Sequence, residues 1–201
     1  MRASGTLRRY SKANLLRFLW TPTYAVEPPD RTTVTGHWRL FFRRLQRRFG
    51  RQPLAAVTET GSARGRLHGH FGASRFLSIE VVQSCWPWGR VHVGDPWRMP
   101  GKLESGELAA YLAKYVKKGF AGLPDDSPKH RAAGEHRYLV AQGFQPERVS
   151  GRAPSARRVL AGVMDVMGVP ERVFAYGERG ADPFYGYWAS WPERAWLRRP
   201  R

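Results

Sequence analysis

The chain has 201 residues, with 34 lysines and arginines against 16 acidic residues, and its formal net charge of +18 favours an anionic polymer or surface as partner. An apolar fraction of 42% with eight tryptophans indicates a folded protein and excludes general disorder. The single cysteine, Cys85, excludes a disulfide framework and a cysteine-based zinc knuckle.

The N-terminal region predicts a basic arm followed by a first strand. Residues 1–13 are basic, and we expect them to form a loose arm. Arg17 interrupts the apolar residues that come next, and no run of 18 apolar residues occurs, so we expect a soluble, cytoplasmic protein without a membrane segment. Residues 18–25 are rich in strand-forming side chains, and Pro22 requires an edge position or a bulge there.

A two-faced helix is predicted over residues 34–49, with Thr33 or Thr35 as its N-terminal cap. One side predicts a core contact and comprises Trp38, Phe41, Phe42, Leu45 and Phe49. The opposite side carries the arginines Arg39, Arg43, Arg44, Arg47, Arg48 and Arg51. This side is either a solvated surface or a face that follows a phosphate backbone, so its arginines are candidate DNA contacts.

A β-hairpin is predicted next, because residues 54–60 and 66–73 both have strand-like composition. Residues 61–65 contain two glycines and form the turn between them. If the turn centres between Ala63 and Arg64, the numbers of opposed residues add up to about 127, which fixes which side chains share a face.

Two histidines on the second strand of this hairpin form the most informative motif in the chain. His68 and His70 are separated by one residue, so both imidazoles project from the same face of the strand. In the register just given, Glu59 faces His68 and Val57 faces His70. Glu59 would then lie on the histidine face as a third ligand for one metal ion, whereas a slip of one residue would remove it.

Two imidazoles and a carboxylate with open positions suit Mg²⁺ or Mn²⁺ as a Lewis acid on a phosphate oxygen. Zinc remains an alternative, although no closed set of four ligands is visible. His92 is an alternative ligand, and a surface position suits it better. His37, His130 and His136 belong to no comparable group.

Further along, residues 80–83 and 89–94 predict short strands, and a helix is predicted over residues 106–119 with Ser105 as its cap. The buried stripe of that helix comprises Leu108, Leu112 and Val116. The adjoining face carries the twice-repeated Tyr-x-x-Lys phrase, formed by Tyr111, Lys114, Tyr115 and Lys118. Residues Gly119 and Gly122 are candidate helix stops.

The C-terminal part of the chain gives weaker signals. Residues 123–130 predict a connector, residues 156–167 predict a helix, and residues 176–196 are rich in glycine, proline and aromatic side chains. We therefore predict one domain over residues 1–122 and a basic, aromatic-rich extension over residues 123–201, whose role the sequence leaves open.

Three segments in this order resemble the motifs of HUH-type rolling-circle replication initiators. They are Phe18-Leu-Trp-Thr-Pro-Thr-Tyr24, Gly65-Arg-Leu-His-Gly-His70 and Tyr111-Leu-Ala-Lys-Tyr-Val-Lys-Lys118. The third segment is similar to that of the two-tyrosine subgroup, which includes phage gene A-type initiators. The first is degenerate, and in the second Gly69 replaces the usual bulky apolar residue, which indicates close packing at that point.

The resemblance implies a DNA endonuclease and strand transferase that works through a 5′-phosphotyrosine link at a phage or plasmid origin. In that reading His68, His70 and Glu59 hold the cation, Tyr111 or Tyr115 attacks the phosphate, and the two lysines of the repeated phrase stabilise charge. Arg66, directly before the histidine strand, joins the helical arginines as a candidate DNA contact.

The resemblance also implies a fold and partners. We expect an α+β fold, an RRM- or ferredoxin-like nuclease core in which the histidine strand is central and helices lie on one face of an antiparallel sheet. Expected partners are single-stranded origin DNA and the polymerase and helicase of a bacterial host cell, because no Gly-x-x-x-x-Gly-Lys-Ser/Thr phrase occurs. Alternatives are a transposase or mobilisation relaxase of the same chemistry, or a non-catalytic basic nucleic-acid-binding protein. Origin sequence, physiological metal, order of the tyrosines and oligomeric state remain open.

Overall fold

The computed structural model describes residues 2–28, 30–60, 67–93, 105–118, 138–146, 155–170, 172–176 and 186–190. The chain divides into two compact units, Met1–Pro146 and Glu147–Arg201. The first unit runs past residue 122, where the sequence predicts the end of the first domain, because a strand near residue 139 belongs to its sheet.

The first unit contains a five-stranded sheet and four helices among its described residues. In chain order they are α1 (Arg2–Ala13), β1 (Phe18–Pro22), α2 (Arg31–Phe49), β2 (Leu54–Thr60), β3 (Leu67–Ala73), α3 (Ile79–Cys85), β4 (Val91–Val93), α4 (Ser105–Lys118) and β5 (Tyr138–Val140). All pairings are antiparallel and the strand order is β4-β1-β3-β2-β5. This confirms an α+β fold in which the histidine strand, β3, is central.

The sheet is covered by helices on both faces, so the expectation of helices on one face is wrong. Alternate residues of β2 enter different cores: Leu54 and Ala56 pack with α2, whereas Ala55 and Val57 pack with α1 and α4. Both sets are almost fully buried. A central strand that is apolar on both sides requires a covering layer on each, and this explains the second layer.

Helix α2 has the two-faced character that its sequence predicts. Its buried side chains are Trp38, Phe41, Phe42 and Leu45, and Phe49 packs at the margin of the same core. The helix begins earlier than predicted, because Asp30 rather than Thr33 or Thr35 is the N-cap: its Oδ1 accepts a hydrogen bond of 2.7 Å from the Thr33 N–H. A carboxylate at this position also interacts favourably with the helix dipole.

Two predicted local structures are wrong, and in both a helical apolar spacing competes with another signal. Residues 1–13 are not a loose arm but contain α1, whose Leu7 and Tyr10 are spaced by three and fully buried. Residues 80–83 are not a strand but belong to α3, whose buried Val82 and Cys85 are also spaced by three. Basic charge in the first segment and β-branched residues in the second obscured the helical period.

Pro22 lies neither at a sheet edge nor at a bulge, contrary to the expectation for this residue. Its strand, β1, is internal, and the register with β4 is regular through the pairs Trp20–Val93 and Pro22–Val91. Pro22 is the last residue of β1, so its missing N–H affects only the end of the ladder. Of the other predicted elements, the helix near residues 106–119 is confirmed as α4, and β4 lies within the predicted strand at residues 89–94.

The second unit contains helix α5 (Ala156–Met167) and the strands β6 (Arg172–Tyr176) and β7 (Gly186–Ser190), which pair antiparallel. The predicted helix at 156–167 is confirmed. Ser155 caps it by accepting a hydrogen bond of 3.3 Å from the Arg158 N–H, and Gly168 follows it with a φ of 77°. Two strands and one helix are described in this unit.

We expect Asp30→Ala to lower the melting temperature at neutral pH, because the N–H of Thr33 loses its partner. The same hydrogen bonds keep the pKa of the Asp30 carboxyl below its usual range, so the stabilisation is present above that range and is lost as the pH falls through the folded-state pKa. Thermal melts between pH 7 and pH 2 should show the difference between wild type and variant shrinking on acidification. Asp30→Asn, which also caps, should retain the stability without this pH dependence; a difference that is constant with pH would contradict the assignment.

Candidate metal centre and its tyrosine pair

The pairing of β2 with β3 brings the predicted ligands together. Glu59 is paired with His68 and Val57 with His70, which is the register that the sequence predicts. The Oε2 atom of Glu59 lies 3.5 Å from Nε2 of His68 and 3.2 Å from Nε2 of His70. All three ligand atoms lie within 4.8 Å of one another. One carboxylate therefore bridges two imidazoles.

This cluster is chemically suited to a divalent cation. It is the one group of three or more histidine, cysteine or acidic side chains within ligating distance that the described residues contain. His70 is buried, whereas His68 has about a quarter of its side chain exposed, which leaves the cluster open on one side. Two nitrogens and one carboxylate leave positions for water or a phosphate oxygen around a cation such as Mg²⁺ or Mn²⁺.

Helix α4 places both tyrosines of the repeated phrase against this cluster. Its leucines at 108 and 112 are fully buried in the core that the helix shares with α1 and the sheet, which fixes the helix over β2 and β3. The Tyr115 ring stacks on the His70 ring with centroids 4.1 Å apart and planes at 24°. The Tyr111 ring meets His70 edge-on at 5.3 Å and lies 4.9 Å from the Tyr115 ring. The histidine face of the sheet and the tyrosine face of α4 thus form one site.

The two phenols differ in environment. The pKa of Tyr115 is raised above its usual range, first by burial, then by its hydrogen bond with Tyr111 and by the negative charge of Glu59. The phenol of Tyr115 is therefore neutral at physiological pH in the protein alone. A divalent cation between the ligands would place positive charge near the phenol and act in the opposite direction.

Gly69, between the two histidines, is required by the helix behind the sheet. A Cβ at this position would lie 2.0 Å from Cζ2 of Trp38, so the indole of α2 occupies the space that a larger residue would need. The Trp38 Nε1–H also donates to Oγ1 of Thr58, which is paired with Gly69 across the hairpin. The close packing expected at Gly69 is thereby confirmed. Trp38 supports the ligand hairpin from the opposite face.

Two residues before the hairpin contact the histidine strand and were not identified as site residues from the sequence. Thr21 of β1 has its Oγ1 3.2 Å from Nδ1 of His70. The carboxylate of Glu27 accepts hydrogen bonds of 3.1 and 3.2 Å from the N–H of Leu67, at the start of the histidine strand. Thr21 lies inside the first of the three quoted motifs, so the motif was a signal, but its contact spans 49 positions and no local pattern predicts it.

The remaining histidines and the lysines are placed as follows. His92 is paired with Thr21 across β1 and β4, so it is exposed two strands away from His70 and outside the ligand group. His37 stacks on Trp88 with centroids 4.0 Å apart. The Nζ atom of Lys114 lies 5.9 Å from the Tyr115 ring centroid.

Some predicted positions lie outside the described residues or their side chains. Arg66, the glycines 119 and 122 and the histidines 130 and 136 are not described, and neither is the turn at residues 61–65. Lys118 ends α4, and its side chain is not described.

The arginines of α2 lie on the side of the sheet opposite to the histidine cluster, because the apolar face of this helix packs on the other core. Arg39, Arg43 and Arg47 are exposed. Arg44 donates to the carbonyl of Cys85 at 3.2 Å, and Arg48 donates to Oγ of Ser84 at 2.9 Å, so two of the predicted DNA contacts also bind α3. Their role in DNA binding stays a prediction.

The geometry defines an α+β protein with a candidate divalent-metal centre beside two tyrosines. Residues 17–120 match the family model of the replication-associated protein ORF2, a span of more than half of the chain. The chain therefore belongs to this family, which confirms the resemblance to replication initiators and supports an initiator role. No curated protein and no solved structure matches the chain.

The described helices give no sign of a membrane segment. None of them combines the length and apolar character that crossing a bilayer requires.

We expect Gly69→Ala to destabilise the protein by about 2 kcal/mol, because the added methyl group overlaps the indole of Trp38. Urea unfolding measures this change. In a Trp38→Phe background, where the overlapping ring atoms are absent, the same substitution should cost less, and the two changes should therefore be non-additive. Gly36→Ala is the matched control: it lies in α2 with open space around its Cβ and should stabilise by about 0.5–1 kcal/mol. Equal destabilisation by both glycine substitutions would contradict the packing argument.

Removing any one ligand should weaken Mn²⁺ binding at least about tenfold, since each donor contributes to a site of only three protein ligands. The variants are Glu59→Gln, His68→Ala and His70→Ala, and calorimetric titration with Mn²⁺ measures the dissociation constant. His92→Ala removes a histidine from the same face, two strands away, and should leave the constant unchanged. Loss of binding in His92→Ala alone would show that the ligand set is wrong.

Proposed function

We propose that the chain nicks and rejoins single-stranded DNA at a replication origin, with tyrosine as nucleophile and a divalent cation as cofactor. One observation carries the proposal: the cluster of Glu59, His68 and His70 is in ring contact with both Tyr111 and Tyr115. A ligand set for a Lewis acid directly beside a phenol is the arrangement that tyrosine-mediated cleavage of a phosphodiester needs. Membership of a replication-associated family supports the biological setting.

In this proposal Glu59, His68 and His70 hold Mg²⁺ or Mn²⁺. When bound, the cation supplies Lewis-acid stabilisation of the negative charge that develops on a non-bridging phosphate oxygen. The protein's own contribution is orientation, since the ligands project from paired strands whose register is fixed along seven residue pairs.

The phenolic oxygen of Tyr111 or Tyr115 attacks the scissile phosphorus. A new tyrosine O–P bond forms while the P–O3′ bond breaks, the phenolic proton is lost, and the leaving 3′ oxygen takes up a proton. The products are a 5′-phosphotyrosyl link and a free 3′-hydroxyl that primes synthesis. Lys114, whose Nζ is near the Tyr115 ring, favours the phenolate by its positive charge, and Lys118 is proposed for the same role.

A second tyrosine at the same histidine allows a second transfer. Because both rings contact His70 and lie 4.9 Å apart, either phenol can serve a phosphate bound at the one cluster. The free tyrosine then cleaves the regenerated origin, and the released 3′-hydroxyl attacks the first phosphotyrosine to close a circle. Each transfer exchanges one P–O bond for another, so no external energy source is required.

The rest of the chain is proposed to bind the DNA around this site. The arginines of α2 lie on the opposite side of the sheet, so they would contact strand or duplex segments distant from the scissile phosphate, and Arg66 would contact the DNA close to it. Strand separation and synthesis would come from a helicase and a polymerase of the bacterial host.

The test is formation of a covalent protein–DNA adduct. Wild-type protein with Mn²⁺ and labelled single-stranded oligonucleotides that tile its replicon should give an adduct that survives denaturing electrophoresis. Tyr111→Phe combined with Tyr115→Phe should reduce the adduct below detection, because both nucleophilic oxygens are removed. Tyr24→Phe is the matched control: Tyr24 is buried in the core on the other face of the sheet, and the adduct should persist.

Two outcomes would change the proposal. An adduct that persists in the double phenylalanine variant contradicts the tyrosine assignment. Binding of the oligonucleotides without any adduct in the wild type favours the non-catalytic alternative. Cleavage confined to a hairpin at a transposon end would instead assign the same chemistry to a transposase.

A further inference from the structure

The imidazole of His70 is contacted at both of its nitrogen atoms. Nε2 lies 3.2 Å from Oε2 of Glu59 on β2, and Nδ1 lies 3.2 Å from Oγ1 of Thr21 on β1. The residue is only 5% exposed, so bulk water has little access to replace either partner. The two neighbouring strands therefore determine the plane of this ring from opposite sides.

We propose that Thr21 is a positioning residue, which orients His70 so that Nε2 rather than Nδ1 is directed at the cation. The proposal rests on the proposed metal-binding role of the cluster. A ring nitrogen that ligates through its lone pair carries no hydrogen, so the hydrogen of a neutral imidazole must be on the other nitrogen. That N–H needs an acceptor in a buried site, and Oγ1 of Thr21 lies at hydrogen-bonding distance from it.

A hydroxyl suits this position better than a group that can only accept. Without a cation, a hydrogen on Nε2 can bond to Glu59, and the Thr21 hydroxyl then donates to Nδ1. With Nε2 ligating, the hydrogen is on Nδ1 and the same oxygen accepts it, with no net gain or loss of protons by the ring. A hydroxyl serves both forms because it is donor and acceptor, whereas a carboxylate or carbonyl would favour only the second.

The position of the hydroxyl is fixed by its strand. β1 is paired on both sides, with β3 at Trp20–Phe71 and with β4 at Thr21–His92. Threonine is β-branched and has few accessible rotamers in a strand, so its oxygen is held in place at little additional entropic cost. Thr21 can therefore hold His70 in one orientation before a cation arrives.

The variants Thr21→Val and Thr21→Ser separate the oxygen from the shape of the side chain. Valine retains the shape and lacks the oxygen, and we expect it to raise the Mn²⁺ dissociation constant of the full chain about tenfold or more, as measured by electron paramagnetic resonance. Serine retains the oxygen and should keep the constant within about threefold of wild type. A dissociation constant that Thr21→Val leaves unchanged would overturn the proposal.

Thr58→Val is the matched control, because it removes a threonine oxygen from the same sheet on the opposite face. Thr58 accepts a hydrogen bond from Trp38, so this variant should lower the melting temperature while leaving Mn²⁺ affinity unchanged. Equal loss of affinity in the two valine variants would mean that the effect is general destabilisation, and would also overturn the positioning role.

A spectroscopic readout tests the ring directly and separates this inference from the proposed function. In ¹⁵N NMR with Zn²⁺ as diamagnetic probe, His70 should carry its hydrogen on Nδ1, and ligation through Nδ1 would contradict the proposal. If the wild type binds neither ion, the metal role in the proposed function fails. The Nδ1 resonance of the metal-free protein then decides the hydrogen bond: Thr21→Val should shift it and Thr21→Ser should not, and a resonance unmoved by valine overturns the role of Thr21.

Discussion

The register of the β2–β3 pairing is the constraint on which the rest of the structure depends. A slip of one residue would move the paired strand's side chains to the opposite face and separate Glu59 from the histidines. Two glycines of β3 hold this register from opposite sides of the sheet. Gly69 leaves space for Trp38, and a Cβ at Gly72 would come within 3.1 Å of Leu108, so a shifted strand would place larger residues against both helices. Packing and ligand geometry thus select the same pairing.

The site divides its work between two kinds of secondary structure. Paired strands hold the candidate metal ligands, because side chains on a sheet are fixed by neighbours on both sides. A helix presents the nucleophiles, because positions four apart lie one above the other on its surface. His70 joins the two parts, since it faces Glu59 through one nitrogen and stacks on Tyr115 through its ring. Burial of the apolar side of α4 maintains this contact.

Local periodicity explains which parts of the fold could be predicted from the sequence. The hairpin with its register and the helix at residues 156–167 follow from alternation and helical spacing, and both are confirmed. Residues 1–13 and 80–83 are too short for the helical period to outweigh charge or β-branched composition. That helices cover both faces also could not be derived, because it depends on long-range packing. For the same reason the sequence indicated the ligands and tyrosines but not the contact of Thr21 with His70.

The contact between Gly69 and Trp38 has a consequence for how this family diversifies. Gly69 stands where initiators of this type usually have a bulky apolar residue, and the indole of Trp38 fills the corresponding volume from α2. The two positions are therefore a complementary pair. In relatives with a large side chain between the histidines, the residue aligned with Trp38 should be small, and the two positions should covary across an alignment. A sequence that combined both large residues would have to shift α2 away from the sheet, and would carry its arginines outward with it.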